Sequence, residues 1–287
     1  MNSTDSDRLI SYNADLHIHS ALSPCAEDRM NPDEVLDQIM RLGIDIFSIT
    51  DHNSGSNCAA FEAAAKRNGV TFIPGIEMQS SEEVHLLGYF PDILSLQIFC
   101  TSVIQPGMIK GGKNDPQLFG DQTKFDVSGN VSGEEEALLS LPLTLSIDEL
   151  ATQIHRHDGV AVAAHVDRGF SIISHLGYLP AELRLDAIEI WNISKIEDIR
   201  TKYLSGTELN IISSSDSHYL NMMKRPKMKF WLHDLNITNC LDCIKGIGKG
   251  RLTISKKRKN IQRKLKDPPT PDGMRSARND WQSLYKK

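Results

Sequence analysis

Along this chain, short apolar runs end repeatedly in histidine or a carboxylic acid: "DLHIHS" (15–20), "SITDHN" (48–53), "PGIEMQ" (74–79), "VAVAAHV" (160–166) and "IISSSDSHY" (211–219). Short apolar runs bounded by turn residues read as buried strands. Helix patterns lie between them. "NPDEVLDQIMRLG" opens on Asn31 with Pro32 at its first position and closes on Gly43, and "SNCAAFEAAAKRNG" ends in Gly69. "SIDELATQIHRHDG" carries Ser146 as cap with Glu149 at the capping-box position. Strands alternating with helices point to a parallel α/β architecture, and more than half a dozen such units suit a closed barrel better than an open sheet. Chemistry in such barrels sits at the carboxyl ends of the strands, which is where these polar residues fall.

In the first run, the alternation of an extended strand sends His17 and His19 to one face, so that both can chelate one ion. Asp51 and His52 follow the second run, Glu77 ends the third, and His85 lies in "EEVHLLGY". His165 closes a later run, and Asp216 and His218 close the last. Imidazole nitrogens and carboxylate oxygens without a thiolate cluster suit divalent Zn, Mn or Fe, and a carboxylate such as Glu77 can bridge two ions. The composition of the set therefore suggests a multinuclear site. Arg168, three residues after His165, is either a planar fork for a substrate phosphate or a surface salt bridge. Asp51 is either the acceptor for the second ring N–H of His52 or a simple loop acid.

Composition narrows the surroundings. A chain of 287 residues that is 40% hydrophobic can fill the core of one large domain or two modest ones. It has no apolar window long enough for a membrane span, and "MNSTDSDRLISYNAD" lacks the layout of a signal peptide, so a cytoplasmic protein with no membrane partner is expected. Five cysteines, odd in number and sparse, read as free thiols. Cys240 and Cys243 form a lone CxxC inside a helix pattern, "NCLDCIKGIG", which favours packing over redox or zinc chemistry. His155 and His157, near a helix end, read as solvated, and His175 and His233 fall in no motif.

Two segments break the rhythm. Residues 101–140 are rich in Gly, Asp, Asn and Ser, and read as an irregular insertion or flap over the site. Residues 254–287 hold 11 Lys or Arg against 3 Asp, leaving 21 basic against 34 acidic residues in the body. That terminal stretch reads as a mobile basic tail suited to nucleic acid or to an acidic protein.

Taken in order, "DLHIHS", "SITDHN", "GIEMQ", "VHLLGYF", "AHVDR" and "SSDSHY" resemble the motifs of the PHP (polymerase and histidinol phosphatase) family of metal-dependent phosphoesterases. The resemblance covers residues 13–253 and implies a distorted seven-stranded (β/α) TIM-like barrel with two or three divalent metal ions at its carboxyl face. It implies that His17, His19, Glu77 and Asp216 hold a first metal. Glu77 would bridge to a second held by His85 and His165, and His52 and His218 would hold a third. Among these, Glu77, Asp216 and His165 are the expected catalytic residues, with Arg168 on the substrate. Many members add a His or Asp ligand to the third metal shortly after the HxH pair. Here the neighbourhood reads "SALSPCAED", which leaves Cys25, Glu27 or Asp28 for that place, or a weak third site.

The activity so implied is hydrolysis of a phosphomonoester or nucleotide-type substrate, in which two close metals lower the pKa of a shared water until hydroxide forms near neutral pH. Two other readings remain open. One is a nuclease acting on DNA or RNA ends with help from the basic tail; the other is a non-catalytic metal-binding interaction module.

Overall fold

The structure, a computed structural model, describes residues 8–255. The local signals in the sequence are used as expected. Asn31 caps the helix Pro32–Leu42 by accepting from Glu34 N–H, and Gly43 ends it in the left-handed conformation at φ 66°. The helix Ile147–Arg156 opens on the Ser146–Glu149 capping box.

The strands are β1 (Ile10–Asp15), β2 (Ile46–Ile49), β3 (Thr71–Gln79), β4 (His85–Tyr89), β5 (Thr123–Phe125), β6 (Val131–Glu134), β7 (Val160–Ala163), β8 (Ala187–Glu189), β9 (Asn210–Ile212), β10 (Met228–Leu232) and β11 (Arg251–Ile254). Nine of them form one sheet in the order β11-β10-β1-β2-β3-β4-β7-β8-β9. The seven from β1 to β9 curl towards closure: beyond the ends of β1 and β9, Ile18 bridges Ser217 in parallel, and His19 N–H donates to Ser217 O at 2.9 Å. The architecture is thus a barrel-like α/β fold, with β10 and β11 adding a flanking antiparallel hairpin to the expected seven strands.

The distortion has a specific source. β4 runs antiparallel to both β3 and β7, whereas β1–β2, β2–β3, β7–β8 and β8–β9 are parallel. The amino end of β4 consequently lies beside the carboxyl ends of its neighbours, and His85 is its first residue, paired with Gln79.

Strand alternation divides the apolar residues into two cores. Ile46, Ile73, Leu87 and Val162 belong to an inner cluster, while their neighbours Phe47, Phe72, Leu86 and Ala161 pack outward under the helices. The helix Ile237–Lys245, through Cys240, Leu241, Cys243 and Ile244, joins the inner cluster and touches β3, β7, β9, β10 and β11. It plugs one end of the barrel and leaves the other for polar residues.

The stretch 101–140 has more order than its composition suggests. A π-helical turn, Cys100–Ile104, leads into it, and it holds two short helices and the β5–β6 hairpin. Its anchors are side chains bonded to backbone: Asn57 Nδ2 donates to Thr123 O at 3.0 Å and Asn57 Oδ1 accepts from Phe125 N–H at 2.9 Å. Asn53 Nδ2 donates to Leu139 O and Leu141 O. Such anchoring leaves no apolar period to read. Of the basic stretch 254–287, Ile254 ends β11 and Ser255 follows it; the remainder lies outside the described residues.

Candidate metal centre

Every residue singled out as a ligand comes to the unplugged rim. β1 leads into His17 and His19, both fully buried. The segment after β2 supplies His52, which bridges to Glu77 of β3. His165 follows β7 and Asp216 follows β9, each with positive φ (22° and 52°). Non-glycine residues adopt that conformation at a cost, and here it turns two ligand-type side chains towards one centre.

The centre is the Glu77 carboxylate. Its Oε1 lies 3.4 Å from His17 Nε2, 3.0 Å from His85 Nδ1 and 3.1 Å from His165 Nε2. Its Oε2 lies 3.3 Å from His19 Nε2 and 3.1 Å from His52 Nδ1. Asp216 Oδ1 faces His17 Nε2 at 3.4 Å, His19 Nε2 at 3.5 Å and His218 Nδ1 at 3.6 Å. Three overlapping groups have donor atoms close enough for one ion each: His17, His19 and Glu77; His52, Glu77 and His85; and His19, His52 and His218.

The chemistry of this donor set fits divalent cations. Nitrogen faces nitrogen at His17–His19, 3.2 Å, and at His85–His165, 3.3 Å, pairs that can share at most one proton. Lone pairs converging in a buried site are costly unless a cation receives them. The electrostatics agree. Burial opposes charge on Glu77, yet the facing His85, His17 and His52 hold its carboxyl well below the usual range. Burial likewise opposes charge on His52, but Glu77 raises its pKa to about 10; His218 is pushed down to about 3 by burial and by His19.

Two supporting groups escape sequence reasoning. Glu189, on β8, sets Oε2 2.9 Å from His17 Nδ1 and accepts the backbone N–H of His165 at 3.1 Å, so one carboxylate orients the His17 ring and holds the main chain at His165. Its signal was a single acid inside the apolar run "AIEIW". Ser23 Oγ meets His19 Nδ1 at 2.9 Å and donates to Asp51 at 2.7 Å. Asp51 also accepts from Ser20 N–H and Ser20 Oγ. It therefore steadies His19 through Ser23 and does not receive the His52 ring, because the turn after β1 folds back over it.

Other expectations sort similarly. Arg168 Nη1 pairs with Asp216 Oδ2, and its guanidinium lies over Trp191, 5.0 Å from the ring centroid. Of the three candidates after the HxH pair, Glu27 is occupied by Leu220 N–H at 2.6 Å, whereas the exposed Cys25 lies beside His52 and helps to raise its pKa. His155 is not simply solvated; it pairs with Asp186 at 2.8 Å, away from the site, and His157 meets Gln153 O. His175 stacks on Phe170. The CxxC thiols lie in the plugging helix at the other end. Among the described residues, no helix is long and apolar enough to cross a membrane.

Comparison with known proteins adds a decisive observation: the PHP domain model matches residues 15–230, spanning every ligand candidate from His17 to His218. The chain belongs to the PHP domain family. Over 79 residues this PHP protein is 35% identical to a 3′,5′-nucleoside bisphosphate phosphatase of Chromobacterium violaceum, covering 26% of this chain and 27% of that one. Endonuclease Q, solved with a 27-mer duplex bearing an abasic lesion, superposes with a TM-score of 0.60 at 18% identity, over 84% of this chain and 58% of that one. The lesion-specific endonuclease of Pyrococcus furiosus gives 0.56 at 17%, over 85% and 58%. A protein of Bifidobacterium adolescentis assigned as a metal-dependent phosphoesterase gives 0.53 at 17%, over 71% and 87%. These solved structures share the fold. The PHP chain spans less than two thirds of the phosphatase and of both endonuclease chains.

Proposed function

We propose that the protein is a metal-dependent phosphoesterase that hydrolyses a phosphomonoester or nucleotide-type substrate at the Glu77 centre. The observation that carries this reading is the convergence of five imidazoles on one buried carboxylate, with Asp216 beside it. His17, His19, Glu77 and Asp216 would hold one divalent ion, Glu77, His85 and His165 a second, and His52 and His218, joined by His19, a third. Zn, Mn or Fe suits these nitrogen and oxygen donors. When bound, such ions supply a nucleophile at neutral pH and neutralise phosphoryl charge.

The chain's own residues do the rest. Glu189 and Ser23 fix the ring orientations of His17 and His19. Arg168 spends one N–H on Asp216 and keeps other donors at a part-exposed rim, where they meet phosphoryl oxygens. Nucleotide chemistry is supported by the partial likeness to the bisphosphate phosphatase. The phosphoesterase unit is assigned to residues 13–253.

The test is release of inorganic phosphate from p-nitrophenyl phosphate by protein loaded with Mn or Zn. Metal bound without release of phosphate or nucleotide would leave the interaction module as the reading. The basic stretch 254–287 supports a second reading, a nuclease, which labelled single-stranded DNA and RNA would reveal through released nucleotides.

A further inference from the structure

Between the ends of β1 and β9, short of the Ile18–Ser217 backbone bridge, the barrel is closed by side-chain bonds in place of a ladder. Leu16 N–H donates to Ser214 Oγ at 3.2 Å, and Ser215 N–H to Asp15 Oδ1 at 3.0 Å. This seam leaves a cavity of about 320 Å³ walled by Trp191, Asn192 and the 213–215 serines, with Lys224, Arg225 and Lys227 around it. Its volume lies at the small end of small-molecule sites, which run from roughly 300 to 1,000 Å³.

The cavity adjoins the metal centre without belonging to it. Ser215 precedes Asp216, and Trp191 carries the guanidinium that pairs with Asp216. The indole is 45% exposed, unusual for so large an apolar ring, and its Nε1 is fixed on Ser215 O at 3.2 Å. Lys224, Arg225 and Lys227 are exposed, and among the described residues none has a carboxylate partner. Asp15 lies at the seam with its carboxylate hydrogen-bonded to backbone, so an anion would be favoured beside the basic residues and disfavoured next to Asp15.

We propose that this seam cavity takes the remainder of the substrate: a nucleoside against Trp191, whose second phosphate is held by Lys224, Arg225 and Lys227 while the scissile phosphate lies at Glu77 and Asp216. The proposal rests on the phosphoesterase reading and narrows it to substrates carrying an anionic group one nucleoside away from the reacting phosphorus. The aromatic wall serves the base by stacking, the amide and hydroxyls serve its polar edge, and the three exposed basic residues serve the phosphate. A second phosphate could be a monoester, as in a nucleoside bisphosphate, or a diester, as in a dinucleotide.

Binding and turnover separate the possibilities. Equilibrium dialysis of adenosine 3′,5′-bisphosphate, adenosine 5′-monophosphate and the dinucleotide pApA is run on chelator-treated full-length protein, wild type beside Lys224→Ala/Arg225→Ala. Turnover of all three and of p-nitrophenyl phosphate is measured with Mn restored, and thermal melts of both proteins verify folding. The wild type is expected to bind a two-phosphate ligand at least about tenfold more tightly than the monophosphate, and the double variant to lose that preference. Whichever of bisphosphate and dinucleotide is preferred identifies the source of the second phosphate. Equal binding of mono- and two-phosphate ligands, or a preference that survives in the folded double variant, overturns the proposal even if p-nitrophenyl phosphate is hydrolysed. Absence of all hydrolysis, with the binding preference present and lost in the variant, overturns the phosphoesterase reading while the cavity stands as a nucleotide site. Trp191→Ala should weaken binding of all three nucleotides alike, and unchanged binding would remove the base from the cavity.

Discussion

At one end of the barrel, His17, His19, His52, His85, His165 and His218 face Glu77 and Asp216 across 3.0 to 3.6 Å. At the other, Cys240 and Cys243 sit one helical turn apart among Ile46, Val160, Leu232 and Ile244. Both ends carry residues that can ligate metal, at spacings that suggest pairing. Among the described residues the rim surrounds them with further nitrogen and oxygen donors, whereas the plug surrounds them with apolar side chains. At the plug, burial pushes both thiols up to about 12, so they stay protonated at neutral pH and pack as small apolar side chains. Spacing proposes a site; the company a side chain keeps decides it.

The sharpest way to break this contrast is Glu77→Ala. Removing the shared carboxylate should lower phosphate release by more than about 10³-fold and reduce bound metal, measured by plasma emission, while circular dichroism stays native. Full metal content with wild-type turnover would dissolve the rim as a centre. Phe230→Ala attacks the opposite end: it should cost about 3–5 kcal/mol in urea unfolding and leave turnover per folded molecule unaltered. Equal damage to turnover under native conditions would show the two ends to be coupled.

Glu189→Ala probes how far the rim reaches into the barrel wall. Metal affinity, read by titration against a competing chelator, should fall about 10–100-fold, since His17 loses the acceptor that orients it. Unchanged affinity would confine the centre to its direct donors. Cys243→Ala is the mildest case, with about 1 kcal/mol of lost packing and no change in metal content. In the folded protein a thiol reagent should label the exposed Cys25 first and spare Cys58, Cys240 and Cys243 until urea is added.

Much of the rim was legible in the sequence because strand ends and histidines are both visible there. His17 and His19 follow from two-residue alternation, and Glu77 from its place after an apolar run. His85 was legible as a ligand, but its setting was not: nothing in "EEVHLLGY" shows that the strand runs against its neighbours, and that reversal puts its first residue at the rim. Glu189 was hidden because a lone acid in a strand has no partner until the barrel folds. Asp51 stayed open between acceptor for the His52 ring and loop acid, because nothing in the sequence shows that the turn at Ser20–Ser23 takes its oxygens. The segment 101–140 was opaque for a related reason, since side-chain bonds to backbone leave no period to detect.

The reversed β4 also grades the entropic cost of gathering the donors. Glu77 and His85 are 8 residues apart, joined by a tight hairpin, whereas Glu77 and His165 are separated by 88 residues. The Ile18–Ser217 bridge requires about 200 residues of intervening chain to be gathered. Because loop-closure cost grows with loop length, bringing the hub carboxylate to its first imidazole costs the least entropy and joining the seam the most. Of the three donors assigned to one ion, Glu77 and His85 are therefore joined by the shortest loop, and His165 has to be brought in from across the barrel.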